Sequence, residues 1–493
     1  MFLYFFFWNK YKAYFNKFLS NSERKRGKVS KKVAIIGAGI TGLSSAYFIK
    51  KQDPSIEVTI FEASNRVGGK IQTYRSDGYT IELGPESYLG RKTIMTDVAK
   101  DIGLENDLIT NTTGQSYIFA KNKLYPIPGG SIMGIPTDIK PFIKTRLISP
   151  IGKLRAGLDL FKKPIEIEDD ISVGSFFRQR LGNEVLENLI EPLMGGIYGT
   201  DIDQLSLMST FPNFKEKEEQ FGSLIKGMKD EKEQRIKKRQ LYPGAPKGQF
   251  KQFRHGLSSF IEALVKDIES KGVHIRYNTP VKDILISQKD YEILLEDDSK
   301  EKFNGLLVTT PHQVFLNWFS HDPAFDYFKN MDSTTVATVV LAFDEKNITN
   351  TYDGTGFVIA RTSQTDITAC TWTSKKWPFT TPEGKVLIRA YIGKPGDTVV
   401  DDHTDEEIVS IVRKDLSQMM TISGNPDFTI VNRLPKSMPQ YHVGHIKMIK
   451  EIQQHIKTTY PRLRVTGAPF EAVGLPDCIQ QGKNAVDEIL EEL

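Results

Sequence analysis

An α/β fold with a parallel sheet at its centre is predicted by three observations. An apolar run, Val33 to Ile36, ends in closely spaced glycines. A second run, Glu57 to Phe61, ends in the acidic Glu62. Further strand-like runs recur at Val273, Gly305 and Leu463, far apart in the chain.

Val33-Ala34-Ile35-Ile36 reads as a strand buried on both faces. Gly37-Ala38-Gly39-Ile40-Thr41-Gly42 then sets three glycines at the G-x-G-x-x-G spacing, which lets the backbone turn tightly and approach a pyrophosphate on a helix N-terminus. Leu43 to Lys51 is expected to be that helix, with Ser44, Ser45 and Ala46 small enough for close packing. Glu57 to Phe61 is the second strand, and Glu62 lies about 20 residues past the last glycine, where a ribose hydroxyl needs an acceptor. These features predict a Rossmann-like dinucleotide-binding domain. Ile81 to Ser87 reads as a strand ending in the Gly84-Pro85 turn, and Phe253 to Ser258 as the opening of a helix. Val273 to Val281, Gly305 to Pro311 and Leu463 to Ala468 return to the same sheet. The last of these leads through a loop, Pro469 to Asp477, into a helix expected from Cys478 to Leu490.

Two insertions separate these returns. Residues 116–217 are punctuated by proline and predict a helical cap, whereas 313–437 contain β-rich runs, Thr335 to Phe343 and Lys385 to Tyr391, that predict a mixed-sheet substrate domain. The expected division is therefore 31–87, 240–312 and 438–493 for the nucleotide domain, 88–115, 218–239 and 313–437 for the substrate domain, and 116–217 for the cap. Lys215 to Lys251 has little apolar content and predicts an exposed helix and loop. No internal repeat is evident.

Composition narrows the function class. The chain of 493 residues is too long for one core. Residues 1–32 hold nine Lys or Arg against Glu23 alone, so the net charge of +4 leaves −4 for everything after them, which argues against nucleic acid as a partner. Met1 to Trp8 is too short to span a bilayer and is followed by basic residues interleaved with aromatics. Residues 1–30 therefore read either as a disordered extension or as a peripheral membrane contact. Cys370 and Cys478, the only cysteines, offer no zinc spacing and no disulfide framework. No metal cluster, Ser-His-Asp set or paired-carboxylate motif stands out.

Further segments carry a resemblance. Ala63-Ser64-Asn65-Arg66-Val67-Gly68-Gly69-Lys70 resembles the R-x-G-G segment of flavin-dependent amine oxidases, phytoene desaturases and protoporphyrinogen oxidases. Glu191-Pro192 through Gly195-Gly196-Ile197-Tyr198-Gly199-Thr200-Asp201 resembles a signature of protoporphyrinogen and coproporphyrinogen oxidases. Ile367 to Pro378 and Ser437 to Tyr441 are similar to segments of that family, most closely its soluble Gram-positive branch.

The resemblance implies FAD and not NAD, held by Gly37, Ala38, Gly39, Ile40, Thr41, Gly42, Glu62, Ala63, Arg66, Gly69, Lys70, Gly84, Pro85, Glu86, Ser87, Val281, Glu471, Ala472, Val473 and Gly474. It implies oxidation of a porphyrinogen by oxygen in heme biosynthesis, six electrons in three flavin cycles, with the flavin carrying the chemistry and no catalytic side chain identified. Arg91 and Lys92 are the expected grips for propionates, and Tyr198, Trp372, Trp377 and Tyr441 are either core or macrocycle contacts. Coproporphyrinogen III is the expected substrate. Protoporphyrinogen IX, or an amine or carotenoid on the same scaffold, are the alternatives, and a non-catalytic flavoprotein handing porphyrin to the next heme-pathway enzyme is a reading of another class. The expected location is the cytoplasm, with at most a peripheral membrane contact. Leu434 stands where relatives often carry tryptophan, and Leu83 where they often carry a polar residue.

Overall fold

The computed structural model describes residues 31–112, 114–241, 249–287, 290–349 and 352–493. The extension 1–30 and its expected membrane contact lie outside the described residues. Along the chain run β1 (Lys32–Ile36), α1 (Ile40–Gln52), β2 (Glu57–Phe61), β3 (Tyr117–Ala120) and β4 (Lys123–Pro126), then the cap helices α2 (Ile139–Lys144), α3 (Pro150–Gly157), α4 (Val173–Leu181) and α5 (Glu191–Tyr198). There follow β5 (Val273–Arg276), β6 (Gly305–Val308), β7 (Ser333–Asp344), β8 (Gly356–Ile359), β9 (Ile367–Trp372), β10 (Lys385–Ile392), β11 (Phe428–Pro439), β12 (Leu463–Val465) and α6 (Leu475–Glu492).

The first sheet is parallel, in the order β5-β2-β1-β6-β12. Its central strands are apolar on both faces because both are covered, Val33 and Ile35 by helices and Ala34 and Ile36 by a three-stranded antiparallel sheet (Val281–Ile286, Tyr291–Leu295 and Lys300–Phe303), and Val33 to Ile36 are buried. On one face α1 packs against α6 at close range. A Cβ on Gly482 would lie 2.8 Å from the Thr41 carbonyl oxygen and from Ser45 Oγ. The Ser44 and Ser45 hydroxyls donate back to carbonyls of their own helix, so both are satisfied while buried.

The second sheet has seven strands, β11-β7-β10-β9-β8-β3-β4, antiparallel except for the β8/β3 pair. Residues 117–126, expected in the helical cap, are thus two edge strands of this sheet. They form a hairpin whose turn residues Lys121 and Asn122 both have positive φ, 51° and 58°, the turn geometry that matches strand twist. Residues 312–319 and 326–329, inside the segment expected to be β-rich, are helical. The final helix starts at Leu475, three residues earlier than expected, and α1 includes the last glycine of its motif. The Lys215 to Lys251 stretch forms helices Pro212–Phe221 and Leu224–Leu241, of which the first buries Phe214, Lys215 and Glu218. Residues 242–248 lie outside the described residues.

The cap is pinned by charges as well as by apolar packing. Arg180 on α4 is fully buried, with Nε 2.5 Å from Asp159 Oδ1 and Nη1 3.1 Å from Glu218 Oε1, and both carboxylates have further donors in Ser223, the Ile225 N–H, Lys215 and the Ile165 N–H. Both cysteines are buried and free.

Candidate functional site

The glycine turn after β1 is fixed from below. Thr309, just past β6, donates its hydroxyl to the carbonyls of Ile36 (3.0 Å) and Gly37 (3.1 Å). Gly37 has φ +102°, and a Cβ on Gly42 would sit 2.0 Å from the Gly37 carbonyl oxygen, so neither position tolerates a side chain. Gly39 differs. A Cβ there would meet nothing within 4 Å, because the position faces open space in front of α1. Gly39 caps α1 without a side-chain bond and no acid occupies the first turn, leaving the N–H groups and the positive end of the helix dipole free for an anion. Glu62 Oε2 accepts from the Ala38 N–H (2.9 Å), and Oε1 from the Ser64 N–H (2.9 Å) and hydroxyl (2.8 Å), which aims the carboxylate beside the same turn. A turn that excludes side chains except toward solvent, a bare helix N-terminus and a fixed carboxylate form a donor and acceptor set that fits a dinucleotide.

This turn opens into one large cavity of about 1370 Å³. Gly37, Gly39, Ile40, Thr41, Glu62, Ala63, Gly69, Lys70, Gly84, Pro85, Ser87, Val281, Val473 and Gly474 form part of its wall. Ala38, Gly42, Arg66, Glu86, Glu471 and Ala472, also expected to hold the cofactor, are not in the wall. Arg66 turns its guanidinium back onto the carbonyl of Gly69 (2.7 Å) and so braces the R-x-G-G loop. The Glu86 carboxylate points away into the substrate domain, 2.5 Å from Lys376 Nζ. Burial works to raise its pKa, but Lys376 and Arg389 outweigh that and hold the carboxyl below its ordinary value.

The Gly84 turn joins the two domains. Its Cβ would fall 1.8 Å from the Lys70 carbonyl oxygen, which is why glycine stands there. The Leu83 carbonyl accepts from Thr338 Oγ1 (2.7 Å) on β7 and Asn432 Nδ2 (2.9 Å) on β11, and the Gly84 carbonyl accepts from Arg389 on β10. Three strands of the substrate sheet thus grip two consecutive carbonyls of the cofactor domain. Beneath them Glu82 accepts from the Leu257 N–H (2.6 Å) and Thr73 Oγ1 (2.9 Å), and burial pushes its carboxyl up to about 8.

Arg91 and Lys92 fall outside the wall. Lys92 Nζ lies 2.5 and 2.7 Å from the two carboxylate oxygens of Asp477 in the first turn of α6. The basic residues that do line the cavity are Lys70, Arg361, Lys394 and Lys436. Lys70 donates to the Ser437 carbonyl, and burial lowers its pKa. Arg361 stands among Glu191 (3.2 Å), Asp203 (3.4 Å) and Asp201 (3.7 Å). Glu191 also lines the cavity, and burial lifts its carboxyl to about 7. Trp372, Trp377 and Tyr441 are core residues, and with Tyr198 they stand behind the wall; the aromatic side chains in it include Trp318 and Tyr391. Leu434 is in the wall. Among the described residues no group of three or more His, Cys, Asp or Glu could hold a metal ion.

The family model described as flavin containing amine oxidoreductase matches residues 40–490. A coproporphyrinogen III oxidase of Staphylococcus aureus is 81% identical over 466 residues, covering 94% of this chain and 100% of that protein. One from Bacillus subtilis is 47% identical, covering 93% and 98%. A solved structure of a provisionally named protoporphyrinogen oxidase from Exiguobacterium superposes with a TM-score of 0.85 at 35% identity, covering 95% of this chain and 100% of that one. With its glycine turn, Glu62 and R-x-G-G loop converging on one cavity, the chain belongs to the flavin-containing amine oxidoreductase family, and its cofactor is FAD.

Proposed function

We propose that the protein oxidises coproporphyrinogen III to coproporphyrin III with oxygen as electron acceptor, removing six electrons in three two-electron rounds, in heme biosynthesis. The observation that carries this reading is the size and division of the cavity. Single-ligand pockets span roughly 300–1,000 Å³, and about 1370 Å³ leaves room for a second large ligand beside FAD. The names of the Staphylococcus aureus and Bacillus subtilis relatives support the choice of that ligand.

The part of the cavity beyond the glycine turn is walled by β7, β10 and β11 and by the loops that follow β8 and β10, and it holds the basic residues Arg361, Lys394 and Lys436. Arg361 is compensated by three carboxylates, which leaves Lys394 and Lys436 to attract a substrate with four propionates. FAD supplies the two-electron acceptor for a hydride leaving a saturated bridge carbon. The chain's own residues bind and orient: the first turn of α1 and Glu62 hold the dinucleotide, the Gly84 turn is clamped by Thr338, Asn432 and Arg389, and the apolar wall from Val336, Ile359, Ile392 and Leu434 excludes water from the macrocycle. Rigid alignment is the protein's contribution to rate.

The test is anaerobic reduction of the oxidised protein by each porphyrinogen at matched concentration, followed by flavin bleaching. Faster bleaching by coproporphyrinogen III than by protoporphyrinogen IX is expected, and in air about three peroxides per porphyrin formed. Faster bleaching by protoporphyrinogen IX overturns the substrate, and bleaching by neither, with reduction by an amine instead, overturns the reaction.

A further inference from the structure

Beside the Gly84 turn lies a second, much smaller cavity of about 10 Å³, counted as room for the centre of a water molecule. Four polar residues of its wall carry side-chain atoms that no group among the described residues pairs: Glu86 Oε1, Gln252 Oε1, Thr373 Oγ1, and Nε and Nη1 of Arg389. The four residues are at most 8% exposed, so bulk water does not reach them. Other atoms of the same side chains are engaged. Glu86 Oε2 lies 2.5 Å from Lys376 Nζ, Gln252 Nε2 donates to the Glu86 carbonyl (2.8 Å), and Arg389 Nη2 donates to the Gly84 carbonyl. The Trp377 indole stands near Glu86, yet its N–H reaches no acceptor at hydrogen-bond geometry.

Buried polar groups are nearly always paired, with one another or with ordered water. Five orphaned atoms around one cavity therefore point to a bound group, and their chemistry selects it. A cation would meet the Arg389 guanidinium, with Lys376 close by, and an anion would meet the Glu86 carboxylate, which Lys376 and Arg389 keep ionised. A small neutral molecule that both donates and accepts suits the whole set. Water donates to Glu86 Oε1 and Gln252 Oε1 and accepts from Arg389, while the Thr373 hydroxyl can turn to either role. Buried waters ordinarily have about three such partners, and roughly 10–15 Å³ of room holds one.

The place of the site gives that water a consequence. Glu86, just past the Gly84 turn, and Gln252, on the strand Phe250–Phe253, stand on the cofactor side of the clamp, whereas Thr373, just after β9, and Arg389, on β10, stand on the sheet side. The Arg389 guanidinium also lies over the Tyr391 ring, 5.1 Å from its centroid, and Tyr391 and Gly84 are both in the wall of the large cavity. A buried guanidinium with two idle N–H groups turns to find acceptors, so whatever meets them fixes its aim at the Gly84 carbonyl. We propose that one buried water molecule, held by Glu86, Gln252, Thr373 and Arg389, joins the cofactor domain to the substrate sheet and positions Arg389 on the Gly84 turn.

The experiment is a crystal structure of the FAD-loaded full chain at a resolution that shows ordered water, together with FAD titration of the apoprotein. A single peak of water density within about 2.7–3.2 Å of three or more of the four residues is expected. No such peak, or a Glu86 carboxylate that meets Arg389 directly, overturns the proposal. Val340→Ile adds a methylene to the wall of the small cavity and should expel the water; FAD should then bind about tenfold more weakly and its visible absorption band should shift. Thr373→Val keeps the shape of the side chain, removes one holder of the water, and should move both readouts the same way by less. All of these measurements are made without substrate, so they are independent of which porphyrinogen the protein oxidises. Loss of the water from either variant with FAD affinity and flavin spectrum unchanged overturns the positioning role.

Discussion

Replacing Gly39 by valine separates the binding of the cofactor from the folding of its domain. Gly39 has φ −72° and ψ 177°, extended backbone open to any residue, and the new Cβ meets no protein atom within 4 Å. The cost to the apoprotein is therefore small. The side chain instead occupies the space in front of the first turn of α1, where the N–H groups of that turn await a pyrophosphate. Loss of two charge-assisted hydrogen bonds at roughly 1.5–3 kcal/mol each weakens FAD by about 10² to 10⁴. Gly42→Ala is the contrasting control, since its Cβ would lie 2.0 Å from the Gly37 carbonyl oxygen and must disrupt the turn itself. The assay is the flavin to protein absorbance ratio after purification, together with thermal melting of apoprotein with and without added FAD. Wild type should gain stability on adding FAD, by about 2.7 kcal/mol at a hundredfold excess over Kd. Gly39→Val should melt as wild-type apoprotein does and gain almost nothing. A Gly39→Val protein that purifies fully yellow refutes the reasoning, as does one whose apoprotein is as unstable as Gly42→Ala.

Glu62→Ala removes an acceptor that also holds the Ala38 N–H and Ser64, and should weaken FAD by about tenfold or more (roughly 1.5–3 kcal/mol), read by flavin titration of the apoprotein. Glu82, with its carboxyl raised by burial from 4.5 to about 8, keeps its proton in the folded protein over a range in which the unfolded chain has released it. Stability should therefore fall as pH rises through that window, by up to about 1.4 kcal/mol per pH unit, and Glu82→Gln should flatten the slope; identical slopes in urea unfolding would exclude Glu82 as the cause. Arg180→Met leaves Asp159 and Glu218 buried without their shared cation, and should cost about 3–5 kcal/mol of unfolding free energy, read by urea unfolding.

What the sequence makes legible is what is local in it. The glycine turn, α1 and Glu62 follow one another within 26 residues, Gly37 to Glu62, and each obeys a backbone rule that leaves a mark on residue type: positive φ at Gly37, a close approach at Gly42, a fixed carboxylate at the end of β2. Gly84 is readable for the same reason. Arg361, Lys394 and Lys436 are not, because the first two follow β8 and β10, the third lies on β11, and they meet only once the seven-stranded sheet has formed. Within the motifs, Arg66 braces the Gly69 carbonyl and Lys92 pairs with Asp477, contacts that the sequence does not announce. The hairpin at 117–126 escapes because its turn is made by Lys121 and Asn122, without the glycine or proline that ordinarily punctuates such turns.

The order of the parallel sheet, β5-β2-β1-β6-β12, bears on how the protein comes off the ribosome. The glycine turn emerges among the first described residues, yet β1 waits for β6 from beyond residue 300, and the edge strand β12 is translated only near residue 463. The helix that packs on α1 comes later still. For most of its synthesis the nascent chain therefore carries a dinucleotide motif with no completed sheet behind it, while the cap and the seven-stranded sheet between these segments have all their own strands and helices available to fold first. The parallel sheet behind the glycine turn can therefore close only after its last strand, β12, has been made.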